Sequence, residues 1–222
     1  MAEQGGGHVD GGVVPGGTAP GKHPILPLPF DPTKLKGLSE RLLRSHHENN
    51  YGGAVKNLNK VEEELARVNK DTPGFLVSGL EERALNFNNS MVLHELYFGN
   101  LGGDGKAGNA TQSALARAFG GFARFEELFR AVGTSLAGGS GWTVLDLNFQ
   151  TGQLGIHWSG NHTQNAAYSA PLLVMDMYEH AYAIDYGAAA AKYIDAFFQN
   201  IQWDEVQRRL ERAQKAGAAL RG

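Results

Sequence analysis

The stretch RSHHENNYGGAVKNLNKV, residues 44–61, places histidines and asparagines at the head of a strongly periodic segment. After these polar residues, apolar side chains recur at every third or fourth position, at Ala54, Leu58, Val61, Leu65 and Val68. This spacing predicts an amphipathic helix, for which Ser39 is a suitable N-cap. The pair Gly52–Gly53 interrupts the pattern and predicts a bend.

A second helix is predicted over about residues 80–100, after the helix-terminating sequence DTPG. Two long helices joined by a short loop favour an antiparallel hairpin. The glycine-rich segment GGDGKAGN then predicts a linker. We therefore expect a flexible Gly-rich tail at residues 1–24, an N-terminal α-hairpin domain at 25–103 and a C-terminal α/β domain at 109–222.

The C-terminal domain begins with a predicted helix, QSALARAFGGFARFEELFRAVGTSLA, at residues 112–137. It carries a stripe of apolar side chains that we assign to the core, Leu115, Phe119, Phe122, Phe125 and Phe129. The segments GWTVLDLN and QLGIHW, separated by the turn FQTG, predict a hairpin, PLLVMD predicts a third strand, and two helical stretches close the chain. The predicted fold class is α+β: an N-terminal antiparallel α-hairpin plus a C-terminal three-stranded antiparallel sheet covered by helices.

Composition sets limits on function. The 222 residues carry a formal net charge of -3, too mild to indicate a nucleic-acid partner or a membrane surface. Cysteine is absent, so disulfides and thiolates are excluded and any metal must be held by His, Asp, Glu or backbone oxygen. No apolar run approaches the ~20 residues that span a bilayer. The N-terminus lacks a secretory signal pattern, and we expect a cytoplasmic protein.

Four side chains are candidate metal ligands: His46, His94, Asp176 and His180. Taken singly, each is more often an exposed or hydrogen-bonded residue than a ligand. Three of them interrupt apolar segments, however, where an unpartnered polar group costs several kcal/mol, and one shared metal ion would satisfy them together. Three imidazoles and one carboxylate suit iron or manganese with an open position, and they leave a positive centre that can bind a small anion.

Several motifs resemble, in the same order, those of one known family. They are ILPLPFDP (25–32), SHHENNYGGAVKNLNK (45–60), HELYFGNL (94–101), FGGFARFEELF with GSGWTVL, and PLLVMDMYEHAYAIDY (171–186). From about residue 24 to 215 the chain resembles the iron/manganese superoxide dismutases. The resemblance implies conversion of superoxide to dioxygen and hydrogen peroxide by redox cycling of one Fe or Mn ion per subunit, held by the four candidate ligands. Both metals use this ligand set, so the sequence does not decide between them.

The resemblance also implies roles outside the ligand set. Glu179 matches a residue that reaches across a two-fold interface to a ligating histidine, which implies a homodimer, with a tetramer left open. The alternative for Glu179 is a solvated helix residue. Trp142 matches a tryptophan that lines the metal pocket, although a core tryptophan in a strand fits as well. His162 stands where manganese-type members place a glutamine that holds metal-bound solvent, and Ser90 stands at the other position for that glutamine. The alternative for His162 is a loop histidine.

The region that corresponds to the family's substrate funnel departs from the pattern. Asn50 replaces a histidine, and Ala54 and Ala183 replace two tyrosines. Tyr51 is either a substitute gate or a packing residue. The basic residues that flank the funnel are replaced by Asn49, Ala189 and Ala190. We therefore expect weaker electrostatic steering of superoxide and slower dismutation.

Two functions remain open. The first is a superoxide dismutase, with active-site candidates His162, Tyr51, Asn50 and Trp142, and with proton delivery through Asn50, His47 or His162. The second is a non-dismutase relative that retains a structural or small-anion-binding metal site. The complete ligand set favours the first, and the altered funnel favours the second. No basic stripe or aromatic platform supports nucleic-acid binding.

Overall fold

The computed structural model describes residues 17–222. Its N-terminal part contains the helices α1 (Glu40–Ser45), α2 (Gly52–Leu65) and α3 (Gly74–Gly99). Helices α2 and α3 pack against each other across a short loop, which confirms the predicted hairpin. Helix α3 begins earlier than predicted, because the Pro73 carbonyl already accepts from the N–H groups of Leu76 and Val77 and so closes the first turn.

The helical segment that carries the opening motif changes from α-helical to π-helical geometry midway and then returns to α-helix. Ser39 is the N-cap of α1, as predicted, and its hydroxyl accepts a hydrogen bond from the Leu42 N–H. Between α1 and α2, residues His46–Tyr51 form a π-helical turn. Gly52 and Gly53, where a bend was predicted, lie in the α-helical backbone of α2, and the π-helical turn directly precedes them. Such wide turns occur frequently at functional sites.

The predicted single helix at residues 112–137 is two helices, α4 (Asn109–Phe119) and α5 (Phe122–Ser135). The break lies at Gly120 and Gly121, whose φ angles are +81° and +156°. A left-handed residue ends an α-helix, and glycine adopts this conformation at little cost. The apolar stripe crosses the break and enters the core as predicted: Leu115, Phe125 and Phe129 are fully buried, and Phe119 and Phe122 pack against them.

The predicted three-stranded sheet is confirmed, with the strands β1 (Trp142–Asn148), β2 (Leu154–Ser159) and β3 (Ser169–Asp176). The strand order is β2-β1-β3, and both pairings are antiparallel. Trp142 at the start of β1 lies directly opposite Asp176 at the end of β3. This register brings an indole ring next to a buried carboxylate.

The chain continues through a 3₁₀ turn (Glu179–Ala181) into α6 (Ala183–Tyr186), α7 (Ala190–Gln199) and α8 (Trp203–Arg221). Apolar side chains from the hairpin, the sheet and these helices form one core cluster. Within the described residues, no helix combines the length and the apolar character needed to cross a bilayer.

Most of the predicted flexible tail, residues 1–24, lies outside the described residues. Its final part is attached to α2. The Asn59 side chain accepts from the His23 N–H at 2.8 Å and donates to the His23 carbonyl at 2.9 Å. The His23 ring also contacts the Glu62 carboxylate at 3.0 Å. The predicted domain boundaries stay predictions.

Candidate metal centre

Four side chains from separate parts of the chain converge where the hairpin meets the sheet. His46 opens the π-helical turn, His94 lies in α3, Asp176 ends β3, and His180 lies in the following 3₁₀ turn. One nitrogen or oxygen atom from each lies within 4.8 Å of the others. No other group of three or more His, Asp or Glu side chains in the described part of the chain converges in this way. Each half of the molecule contributes two of the four residues.

The Asp176 carboxylate lies at the centre of this group and is fully buried. Its Oδ2 is 3.0 Å from His46 Nε2 and 3.1 Å from His180 Nε2. The same oxygen is 3.5 Å from His94 Nε2. Its Oδ1 accepts a 2.8 Å hydrogen bond from the Tyr178 N–H. This bond fixes the carboxylate plane and leaves Oδ2 facing the three imidazoles.

The ring of His94 shows most directly that the cluster suits a cation. Its Nδ1 lies 2.7 Å from the Ser90 carbonyl oxygen, so Nδ1 carries the proton and donates it. Its Nε2 is therefore unprotonated, and this atom is buried without a hydrogen-bond partner among the described residues. A buried lone pair without a partner is costly, and a metal ion would supply one. The donor set of three imidazoles and one carboxylate fits iron or manganese.

The pKa shifts of the clustered side chains favour the protonation states that bind a metal ion. Burial lowers the pKa of His94 to about 3, and burial also lowers the pKa of His46 despite the neighbouring Asp176. Burial alone would raise the pKa of Asp176, but His180 and His46 hold that pKa well below its ordinary value. The cluster thus presents neutral His46 and His94 rings with an ionised carboxylate, the forms that bind metal.

Comparison with known proteins agrees with this geometry. Residues 107–209 match the family described as iron/manganese superoxide dismutases, C-terminal domain. The chain is 46% identical over 192 residues to the superoxide dismutase (Fe) of Cupriavidus metallidurans, which covers 86% of this chain and 98% of that protein. The chain belongs to the iron/manganese superoxide dismutase family.

Iron-named and manganese-named members of the family both match this chain. The superoxide dismutase (Fe) of Aquifex aeolicus is 35% identical over 213 residues, covering 90% of this chain and 98% of that protein. The superoxide dismutase (Mn) 1 of Halobacterium salinarum is 30% identical over 197 residues, covering 86% and 96%. The metal of this family member is therefore iron or manganese.

The structure brings Trp142 and His162 to the cluster. The Trp142 indole meets the His94 ring edge-on, with 5.1 Å between ring centroids. Its Nε1–H donates a 3.0 Å hydrogen bond to His162 Nδ1. The His162 ring lies 6.2 Å from the His94 ring and stacks at 4.7 Å on Tyr178, which in turn stacks on His180. Burial lowers the pKa of His162, which favours the neutral ring.

The other predicted site residues are Tyr51, Asn50 and Glu179, and the Tyr51 ring lies 6.4 Å from the His94 ring. Tyr51 is fully buried, and its hydroxyl accepts from the Leu26 N–H and donates to the Glu95 carboxylate, each at 2.9 Å. Among the described contacts, this hydroxyl bonds to none of the four clustered side chains. Asn50 is partly exposed, and Glu179 is exposed in the single chain.

Two tyrosines at the site were not anticipated from the sequence. The Tyr193 hydroxyl donates a 2.7 Å hydrogen bond to the Asp176 carbonyl and holds the end of β3. The Tyr97 ring lies 5.2 Å from the His46 ring. Tyr97 follows His94 by three positions and so shares its helix face, a signal that could have indicated it. Tyr193 comes from a distant helix, and no local spacing points to it.

Proposed function

We propose that this protein converts superoxide to dioxygen and hydrogen peroxide, with one iron or manganese ion held by His46, His94, Asp176 and His180. The observation that carries the proposal is the buried Nε2 of His94, which has no hydrogen-bond partner within residues 17–222 and faces a carboxylate and two further imidazoles. A bound ion would supply the one-electron oxidation and reduction of successive superoxide molecules. The chain itself holds the ligands, excludes water and places protons.

Iron is the first metal to test. The relative with 46% identity carries iron in its name, whereas two manganese-named relatives are 30% and 33% identical. The ligand types alone do not discriminate, because nitrogen and oxygen donors accept both metals. Metal analysis of protein purified from its native host, together with activity after loading with each metal, decides the matter.

His162 is proposed as the hydrogen-bond donor that replaces the family's outer-sphere glutamine. Because the Trp142 indole N–H occupies Nδ1, the proton of the neutral ring resides on Nε2. This atom can therefore donate a hydrogen bond in the way a glutamine amide does. Trp142 acts through His162 and is proposed as a positioning residue. Stacking on Tyr178 fixes the plane of the His162 ring.

Tyr51 and Asn50 are proposed for different tasks. The two hydrogen bonds of the Tyr51 hydroxyl support a positioning role, since they connect the N-terminal segment at Leu26 to Glu95, the neighbour of His94. Asn50 lies in the π-helical turn, four residues after His46, and its partial exposure suits a polar contact with entering substrate or water.

A homodimer is the proposed assembly, in which Glu179 contacts the partner's ligand-bearing turn. The exposure of Glu179 in the single chain, next to His180, supports this arrangement. Sedimentation equilibrium of the wild type and of Glu179→Ala would test it, and a monomer or a tetramer would replace the proposal. The cytoplasmic location expected from the sequence stays a prediction.

The experiment that tests the function follows superoxide decay by pulse radiolysis with the iron-loaded, manganese-loaded and metal-free protein. We expect metal-dependent catalysis, slower than the diffusion limit because Asn49, Ala189 and Ala190 replace the basic residues that flank the family's funnel. Azide addition to the iron-loaded protein should change its visible spectrum, since a small anion can reach an open position. A loaded protein that binds azide without catalysis would instead indicate the non-dismutase alternative.

A further inference from the structure

The turn that precedes α1 is held by side chains from the C-terminal half. The Asn200 side chain accepts from the Lys36 N–H at 2.9 Å and donates to the Lys36 carbonyl at 2.7 Å. The Tyr186 hydroxyl donates to the Gly37 carbonyl. These bonds cross from one half of the molecule to the other, and they fix the backbone at the entrance of the helix that leads to His46.

The Asp185 carboxylate completes the N-terminal cap of α1 from the other half of the molecule. Its Oδ2 accepts from the Ser39 N–H at 2.7 Å, and its Oδ1 accepts from the Ser39 hydroxyl at 2.6 Å. Because the hydroxyl proton points to Asp185, an oxygen lone pair faces the Leu42 N–H, 3.1 Å away. Asp185 therefore orients the capping hydroxyl as well as binding the backbone.

The turn fits closely against these side chains. Gly37 has a φ of +72°, and a Cβ built on it would lie 2.8 Å from the Tyr186 hydroxyl oxygen and 3.0 Å from the Ala196 Cβ. Both the backbone conformation and the available space thus require glycine here. The contact is a fitted surface between two halves of the chain.

The two sides of this contact lead directly to metal ligands. Ser39 precedes His46 by one short helix, and Asp185 follows His180 by five residues. The His46 and His180 rings lie 4.7 Å apart. We propose that Asp185 and Tyr186, bound to Ser39 and Gly37, form a clamp of positioning residues that sets the approach of His46 to His180 and so the geometry and retention of the metal. This inference rests on the proposed metal centre, although not on its catalytic activity.

The test measures iron release from the loaded protein to excess EDTA under native conditions, together with the EPR spectrum of the ferric form. Asp185→Ala should release iron about tenfold faster, the lower end of the loss seen when groups that orient ligands are removed. Its EPR spectrum should differ from that of the wild type, because the ligand geometry changes. Asp185→Asn retains one acceptor oxygen and should fall between the two.

Two control variants distinguish the loss of the clamp from a general loss of protein stability. Asp195 is another exposed carboxylate, paired with Arg130 at 2.8 Å within the C-terminal half, and Asp195→Asn should leave both readouts unchanged. Leu115→Ala weakens the core without touching the clamp, and it should keep the wild-type EPR spectrum. If Leu115→Ala matches Asp185→Ala in iron release at equal thermal stability, or if Asp185→Ala keeps the wild-type spectrum, the proposal is overturned.

A double variant tests the connection between the two sides. In a Ser39→Ala background, adding Asp185→Ala should accelerate iron release by a smaller factor than in the wild type, because part of the contact is already gone. Fully independent effects would contradict the clamp. Wild-type protein that holds iron but lacks catalysis would refute the proposed function and leave this inference intact.

Discussion

Asp176 is the residue on which the metal centre depends most, since its Oδ2 lies near all three imidazoles. Replacing it by asparagine keeps the size of the side chain but removes the negative charge. An amide oxygen is a much weaker ligand, and the ionised form of Asp176 is the one that its surroundings favour. We expect Asp176→Asn to lose nearly all bound iron or manganese, as measured by elemental analysis after loading.

The sheet provides a matched control. Asp146 is also buried and also pairs with a histidine, His157, on the neighbouring strand. Asp146→Asn should lower stability yet retain a full metal complement, because no other ligand candidate joins that pair among the described residues. Equal metal contents in the two variants would remove Asp176 from the ligand set.

His162 gives a second prediction at the residue scale. His162→Ala should slow superoxide decay about 10- to 100-fold, the usual range when a group that supports a metal centre is lost. His162→Gln should retain most of the rate, since an amide can donate where the ring Nε2–H donated.

Trp142→Phe tests the origin of that proton placement. It frees His162 Nδ1, so the proton is no longer confined to Nε2, and ¹⁵N chemical shifts of the ring should move towards mixed tautomers. An unchanged ¹⁵N spectrum would show that the indole hydrogen bond does not determine the tautomer. If His162→Ala left the rate of superoxide decay unchanged, His162 would be a loop histidine without a role at the metal centre.

At the scale of the elements, we expect opposite effects on stability when alanine replaces Gly120, at the break between α4 and α5, and when it replaces Gly53, within α2. Gly120 has a φ of +81°, and no atom of the described part of the chain lies within 4 Å of a Cβ built there, so Gly120→Ala introduces backbone strain alone. It should lower the free energy of unfolding by about 1–2 kcal/mol. Gly53 is inside α2 with open space around it, and Gly53→Ala should raise that free energy by about 0.5–1 kcal/mol.

Urea denaturation of both variants measures these changes. The matched pair controls for the added methyl group, because both sites have room for it. Two changes of the same sign would mean that the helix break is not held by the left-handed backbone.

The elements also show what the sequence could and could not reveal. Periodic apolar residues predicted the hairpin, and alternating segments predicted the strands, because these signals are local. The division at Gly120 and Gly121 was missed since one stripe of core phenylalanines continues across it. The π-helical turn at His46–Tyr51 was not predicted, because no residue type marks it. The contacts of Asp185 and Tyr193 join distant positions, and only the folded chain reveals them.

The candidate site also contains some features that the sequence could reveal and others that it could not. The four ligands could be inferred, because polar residues inside apolar segments need partners. Tyr51 was left between a gate and a packing role, since its partners Leu26 and Glu95 are not neighbours in sequence. The hydrogen bond from Trp142 to His162 depends on the strand register and the following loop, which no local motif encodes.

For the whole molecule, the metal should behave as a link between the two halves. The ligands converge only in the folded chain, so the ion stabilises that state alone. At a free ion concentration 1,000 times Kd, the gain is about 4 kcal/mol, which corresponds to a rise in Tm of roughly 10 °C for a chain of this size. Calorimetry of the loaded and metal-free wild type measures the shift.

Asp176→Asn is the control for this prediction at the same metal concentration. Its Tm should not respond to iron or manganese, because the central ligand is gone. A metal-free wild type as stable as the loaded one would show that the halves dock without help from the ion.

The division of ligands between the halves has a consequence for synthesis in the cell. While the ribosome is still making the chain, His46 and His94 emerge well before Asp176 and His180, so the earlier part of the nascent chain offers only two of the four proposed ligands. The complete ligand set exists only after β3, which ends at Asp176, and the following turn with His180 have been made. We therefore expect the metal to be chosen from the ions present once both halves have folded together, and not from those that meet the first half alone.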